Sequence, residues 1–127
     1  MDRKLYGAIE ERRKKRLEVI ERVKVLCKNL RKKYPLFTIM LIGSFSRGDF
    51  NLHSDIDILI IFDKELPKSP LERYKLVEDF LEPNMEAQII GLKEFKKRVE
   101  KRDPVINKIL KDAMIIEDDL NVKYISI

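Results

Sequence analysis

Residues 41–61 read L-I-G-S-F-S-R-G-D-F-N-L-H-S-D-I-D-I-L-I-I, and this pattern organises the rest of the chain. An apolar run ends at Gly43, where a residue without Cβ lets the backbone turn tightly. Ser44 stands where a helix N-cap would stand, with free backbone N–H groups behind it. Such a helix start attracts anions, phosphates above all. Arg47 adds a bidentate positive charge one turn later. Gly48 then lets the chain leave the turn without a clash, so Gly43–Gly48 reads as a phosphate cradle. Asp55 and Asp57 follow at the head of a second apolar run, Ile58–Phe62. Strand periodicity puts both carboxylates on one face, roughly 6.5–7 Å apart along the chain. Side chains of that length can converge on a pair of cations about 3.5–4 Å apart, the usual spacing in two-metal phosphoryl chemistry. Hard oxygen ligands suit Mg²⁺ or Mn²⁺.

Working outward, residues 3–33 contain no proline, and Ile9, Leu17, Ile20, Val23, Cys27 and Leu30 form a helical apolar stripe. The pattern predicts a long N-terminal helix, stopped at Tyr34-Pro35, with Leu17–Leu30 facing the core. Leu36–Ile42 and Asp55–Phe62 read as buried strands, joined through a short helical stretch and the polar loop Asn51–Ser54. Leu71–Leu81 reads as a helix and Met85–Ile90 as a third strand. Leu92–Lys101 and Val105–Leu110 read as helices separated at Asp103-Pro104. Met114–Ile116 and Val122–Ile127 read as short strands. The order is that of an α/β domain with a small sheet.

The chain has 127 residues, enough for one domain with a real core. Its division reads as a basic N-terminal helix over 1–34, a catalytic core over 36–117 and a C-terminal extension over 118–127. The single cysteine, Cys27, excludes an intramolecular disulfide and a cysteine-rich zinc site. The N-terminus lacks the apolar run of a signal peptide. Ile58–Phe62, the longest unbroken apolar run, is far short of a membrane span, so the expectation is a soluble cytoplasmic protein with no membrane partner. The net charge of +5 is unevenly spread: residues 1–33 carry a local +8 and the rest −3. Arg12–Arg16 is a run of five basic residues, which predicts solvation on most sides.

The pattern G-S-x3-G-x5-S-D-x-D closely resembles the signature of the nucleotidyltransferase superfamily that includes DNA polymerase beta. Gly43, Ser44, Arg47, Gly48, Ser54, Asp55 and Asp57 carry the match. The short chain looks like a minimal nucleotidyltransferase of the antitoxin type. The resemblance implies an α+β fold with a small mixed sheet flanked by helices. It also implies a third metal-site acid on a later strand, where Glu86 fits, with Gln88 on the same face. In the implied mechanism Asp55 and Asp57 hold two Mg²⁺ or Mn²⁺ ions, and Glu86 helps hold the catalytic one and assists deprotonation of the attacking hydroxyl. Gly43, Ser44, Arg47, Gly48 and Ser54 would serve the nucleotide, ATP in the leading reading. The resemblance further implies a HEPN-type toxin as protein partner, onto which AMP is transferred.

Other chemistries fit less well. A Walker A loop needs Lys and Ser or Thr after Gly48, and the chain has Asp49-Phe50. A serine hydrolase elbow needs Gly-x-Ser-x-Gly, and Ser44 occupies the first glycine position. His53 reads as a loop residue and Cys27 as an inert core residue. The basic helix could instead contact RNA, making RNA-end nucleotide addition an alternative, although no aromatic stacking platform adjoins it. A third alternative is a non-catalytic module that neutralises a partner by contact alone.

Overall fold

A computed structural model describes residues 2–125. One mixed sheet of four strands organises it: β1 (Thr38–Ile42), β2 (Ile56–Phe62), β3 (Met85–Gly91) and β4 (Met114–Asp118). The order across the sheet is β3-β2-β1-β4; β1 runs antiparallel to β2 and β4, and β2 runs parallel to β3. The α+β architecture expected from the sequence is therefore the one observed. Residues 36 and 37 do not join β1, where ladder pairing begins at Thr38.

The long helix α1 spans Arg3–Leu30, capped by the Asp2 carboxylate on the Lys4 N–H. It stops three residues earlier than expected, because the chain tightens into bonds from Lys32 N to Asn29 O and Lys33 N to Leu30 O. Val19, Val23, Leu26, Cys27 and Leu30 of α1 cover one sheet face. Ile9 and Leu17, expected on that stripe, are exposed, since the core begins only at Val19. Every second residue of β2, from Ile56 to Phe62, points into this core. The opposite face carries Met40, Ile42, Leu59, Ile61 and Ile90 beneath two shorter helices, α4 (Leu92–Glu100) and α5 (Pro104–Asp112).

Two expectations are corrected. The predicted helix over 71–81 is a shorter α3 (Pro70–Lys75) followed by a 3-10 turn at Glu78–Phe80. The Tyr34 hydroxyl donates to the Leu76 carbonyl at 2.9 Å, and Val77 leaves helical geometry to enter the core. The predicted strand from Val122 is a 3-10 turn over Val122–Tyr124. There the Asp118 carboxylate accepts the Val122 and Lys123 N–H groups, after Asn121 turns the chain at φ 57°. Ser126 and Ile127 lie outside the described residues. Met114–Ile116 does form a strand, extended to Asp118 and hydrogen-bonded to β1.

Candidate functional site

Gly43 begins the helical turn α2 (Gly43–Arg47) directly from the end of β1, with φ +73°. The N-cap is Ile42, so Ser44 sits inside the first turn and not at the cap expected from the sequence. Gly43 is needed for a second reason. A Cβ there would lie 2.6 Å from Asp57 Oδ2, so only glycine leaves room for that carboxylate. Register explains the closeness: Ile42 pairs with Asp57 across β1 and β2. Gly48 ends α2 in the left-handed region at φ +94°, its N–H bonded to the Ser44 carbonyl at 2.8 Å.

Asp57 pairs in parallel register with Glu86 of β3, so the two carboxylates share a face. Asp55 precedes β2 by one residue and lies two residues from Asp57. Partial burial pushes the Asp57 carboxyl above the ordinary carboxylate value, the Asp55 and Glu86 charges push it further, and Arg47 opposes them. Asp55 and Glu86 thus both act electrostatically on Asp57. Among the described residues, however, no three carboxylate, imidazole or thiol groups are gathered closely enough to enclose one ion. The donor set suits a hard divalent cation: oxygen ligands only, mutually repelling, with one carboxylate given space by a bare glycine.

A cavity of about 270 Å³ opens beside these groups. Ile42, Gly43 and Arg47 from β1 and α2, Asp57 and Gln88 from β2 and β3, and Lys108, Ile109 and Asp112 from α5 line it. Asp55 and Glu86 are exposed and stand outside its wall. A larger cavity of about 480 Å³ lies beyond the far ends of β2 and β3, among residues such as Lys64, Arg73 and Glu94. None of the motif residues lines it.

The remaining motif residues take supporting positions. Arg47 is exposed, and its Nε donates to Asp49 at 3.2 Å. Ser54 accepts the Asn51 N–H at 2.9 Å and so closes the loop 51–54 that delivers Asp55. His53 is exposed in that loop. Cys27 is buried, and its thiol is pushed up to about 12 chiefly by burial, which keeps it unreactive.

Two features escaped the sequence. Ser46 is buried and its hydroxyl donates to the Asp112 carbonyl, joining α2 to the end of α5. A small polar residue on the inner side of a short turn was the only available signal. The second lies in the basic run of α1, where Arg12, Arg13 and Lys14 are exposed as expected but two arginines also reach carbonyls far along the chain. Arg12 donates to the Gly48 and Phe50 carbonyls at 2.6 Å each and stacks over the Phe50 ring at 4.5 Å. Arg16 donates to the Ser46 carbonyl at 2.9 Å. These arginines hold the carbonyl end of α2 and its exit loop, as cations near a helix C-terminus should.

Comparison with known proteins agrees with this fold. The family described as "Nucleotidyltransferase domain" matches residues 23–117. A protein of Methanocaldococcus jannaschii named "Putative protein adenylyltransferase" is 34% identical over 89 residues, covering 69% of this chain and 83% of its own length. A second protein of that name from the same organism is 41% identical over 46 residues, covering 36% of this chain and 31% of itself. A crystal structure titled as a putative nucleotidyltransferase from Sulfolobus solfataricus superposes with a TM-score of 0.64 at 22% identity, covering 82% of this chain and 84% of that one. At that identity the likeness is one of fold. The family match starts at Val23, so Arg12 and Arg16 act on the loop from outside it.

Proposed function

The chain belongs to the nucleotidyltransferase domain family, and on that premise we propose that it transfers AMP from ATP to a protein acceptor in the cytoplasm. The observation that carries the reading is the pairing of Asp57 with Glu86 across β2 and β3, beside the glycine that makes room for Asp57. Asp55, Asp57 and Glu86 would hold divalent cations, Mg²⁺ or Mn²⁺, which when bound supply charge neutralisation at the reacting phosphates. Gly43, Ser44 and Arg47 grip the phosphate tail with backbone N–H groups and one guanidinium. Gly48 and Ser54 fix the two turns that present these groups. The acceptor oxygen bonds to the α-phosphorus as the α–β bridging P–O bond breaks. That electron pair leaves with pyrophosphate, and the acceptor proton passes to Glu86. Positioning and charge account for most of the rate.

The names of the two archaeal relatives favour a protein acceptor over a small molecule. The partner we propose is a HEPN-type toxin that AMP transfer silences, which makes this chain the antitoxin. The test is incubation with that partner, ATP labelled at the α-phosphate and Mg²⁺. Label on the partner, absent with Asp55→Ala/Asp57→Ala, supports the reading. Label on RNA ends instead would select the RNA-end alternative. Neutralisation that survives the double substitution would select contact alone. No transfer to a folded, bound partner contradicts the proposal.

A further inference from the structure

The cavity beside Asp57 has two cations on its wall, Arg47 from the motif and Lys108 from α5. They differ in what they already hold. Arg47 is paired with Asp49 at 3.2 Å. Lys108 makes no ion pair or side-chain hydrogen bond among the described residues, although Asp112 stands one turn away on the same wall. The helix that presents it is fixed at both ends. At its start the Asp103 carboxylate accepts the Val105 and Ile106 N–H groups at 2.9 and 3.2 Å. At its end the Asp112 carbonyl accepts the Ser46 hydroxyl from the phosphate loop itself. Ile106, two residues before Lys108, is buried in the sheet face below.

A triphosphate entering this cavity meets the Asp57 carboxylate and needs positive charge from the rest of the wall. An ammonium is a compact charge with three donors, well suited to phosphoryl oxygens whose positions shift as pyrophosphate departs. We infer that Lys108 receives the β- and γ-phosphoryl groups of the nucleotide from the α5 wall of the cavity. The inference rests on the proposed function and adds a binding residue outside the motif.

The experiment compares the wild type, Lys108→Ala and Lys108→Arg in binding ATP, AMP and inorganic tripolyphosphate, all with Mg²⁺. A hydrogen bond to a charged group predicts about tenfold to hundredfold weaker ATP and tripolyphosphate binding in Lys108→Ala. Lys108→Arg should recover most of it, and AMP affinity should not move. Lys108 is exposed, so melting temperatures should agree across the three proteins. Equal tripolyphosphate affinity in wild type and Lys108→Ala overturns the inference, as does a parallel loss for AMP. Wild-type protein that binds no ATP, with Asp55→Ala/Asp57→Ala behaving identically, overturns the underlying function and the inference with it.

Discussion

On the α1 face of the sheet, β1 and β2 present Ile39, Leu41, Ile56, Ile58, Ile60 and Phe62, all buried among Phe37, Phe45 and the stripe of α1. On the other face the same strands present Met40, Ile42, Leu59 and Ile61, and then Asp57 where the cover of α4 and α5 runs out. The first face is sealed by α1 together with Phe45, Phe50 and the Leu76–Leu81 segment. The second is roofed by two nine-residue helices, and the cavity opens between α5 and the Gly43–Arg47 turn. Carboxylates that must stay charged cannot sit under a sealed roof, because burial without a partner costs several kcal/mol. The sheet therefore separates its work: one face supplies stability, and the end of the other carries the candidate site.

Truncations test that separation most strongly. Leu30→Ala, at a fully buried position of α1, should destabilise by about 3–5 kcal/mol in denaturant titration. Leu92→Ala, at the thinner roof, should cost nearer 2 kcal/mol. Equal losses would break the comparison. Gly43→Ala comes next. It forces a side chain into φ +73° and against Asp57 Oδ2. Displacing that carboxylate should lower transfer activity about a hundredfold. The accompanying stability loss should be only about 1–2 kcal/mol.

A smaller effect sharpens the role of α1. Arg12→Ala should weaken nucleotide binding several-fold and cost about 1 kcal/mol of stability once solvent screening is allowed for. Arg12→Lys should recover little, since one ammonium cannot reach both carbonyls in the fork geometry. Full recovery would argue that only charge matters. The smallest effect concerns Cys27. Its thiol is pushed up to about 12 in the folded protein. The folded state thus favours the neutral form, so this contribution is complete below the unfolded thiol value and fades as pH rises from there toward 12. Iodoacetamide at pH 8 should leave native Cys27 unmodified over a time that fully modifies the urea-unfolded chain.

The motif and the strands around it were legible in the sequence because their signals are local. Gly43, Gly48 and the Asp55/Asp57 pair carry backbone and periodicity requirements that neighbouring residues state by themselves. Sheet order was not legible, since the parallel register of Asp57 with Glu86 depends on contacts far apart in the chain. The ends of elements failed for the same reason. The break after α3 is made by a hydroxyl from Tyr34, and the turn at Val122–Tyr124 by the carboxylate of Asp118. Arg12 and Arg16 looked like part of a solvated run because side-chain-to-carbonyl bonds over thirty residues or more leave no trace in periodicity. Lys108, on a helix with an ordinary amphipathic pattern, gave no signal until the cavity placed it on one wall with Asp57.

The most direct test of the account is calorimetric titration of ATP with Mg²⁺ into the wild type and into Asp55→Ala/Asp57→Ala, with melting curves for both. The account predicts metal-dependent binding in the wild type that is lost in the double variant, which should melt at the same temperature or higher because a repelling charge cluster has been removed. Binding that is unchanged by the double substitution, or independent of the metal, would contradict it.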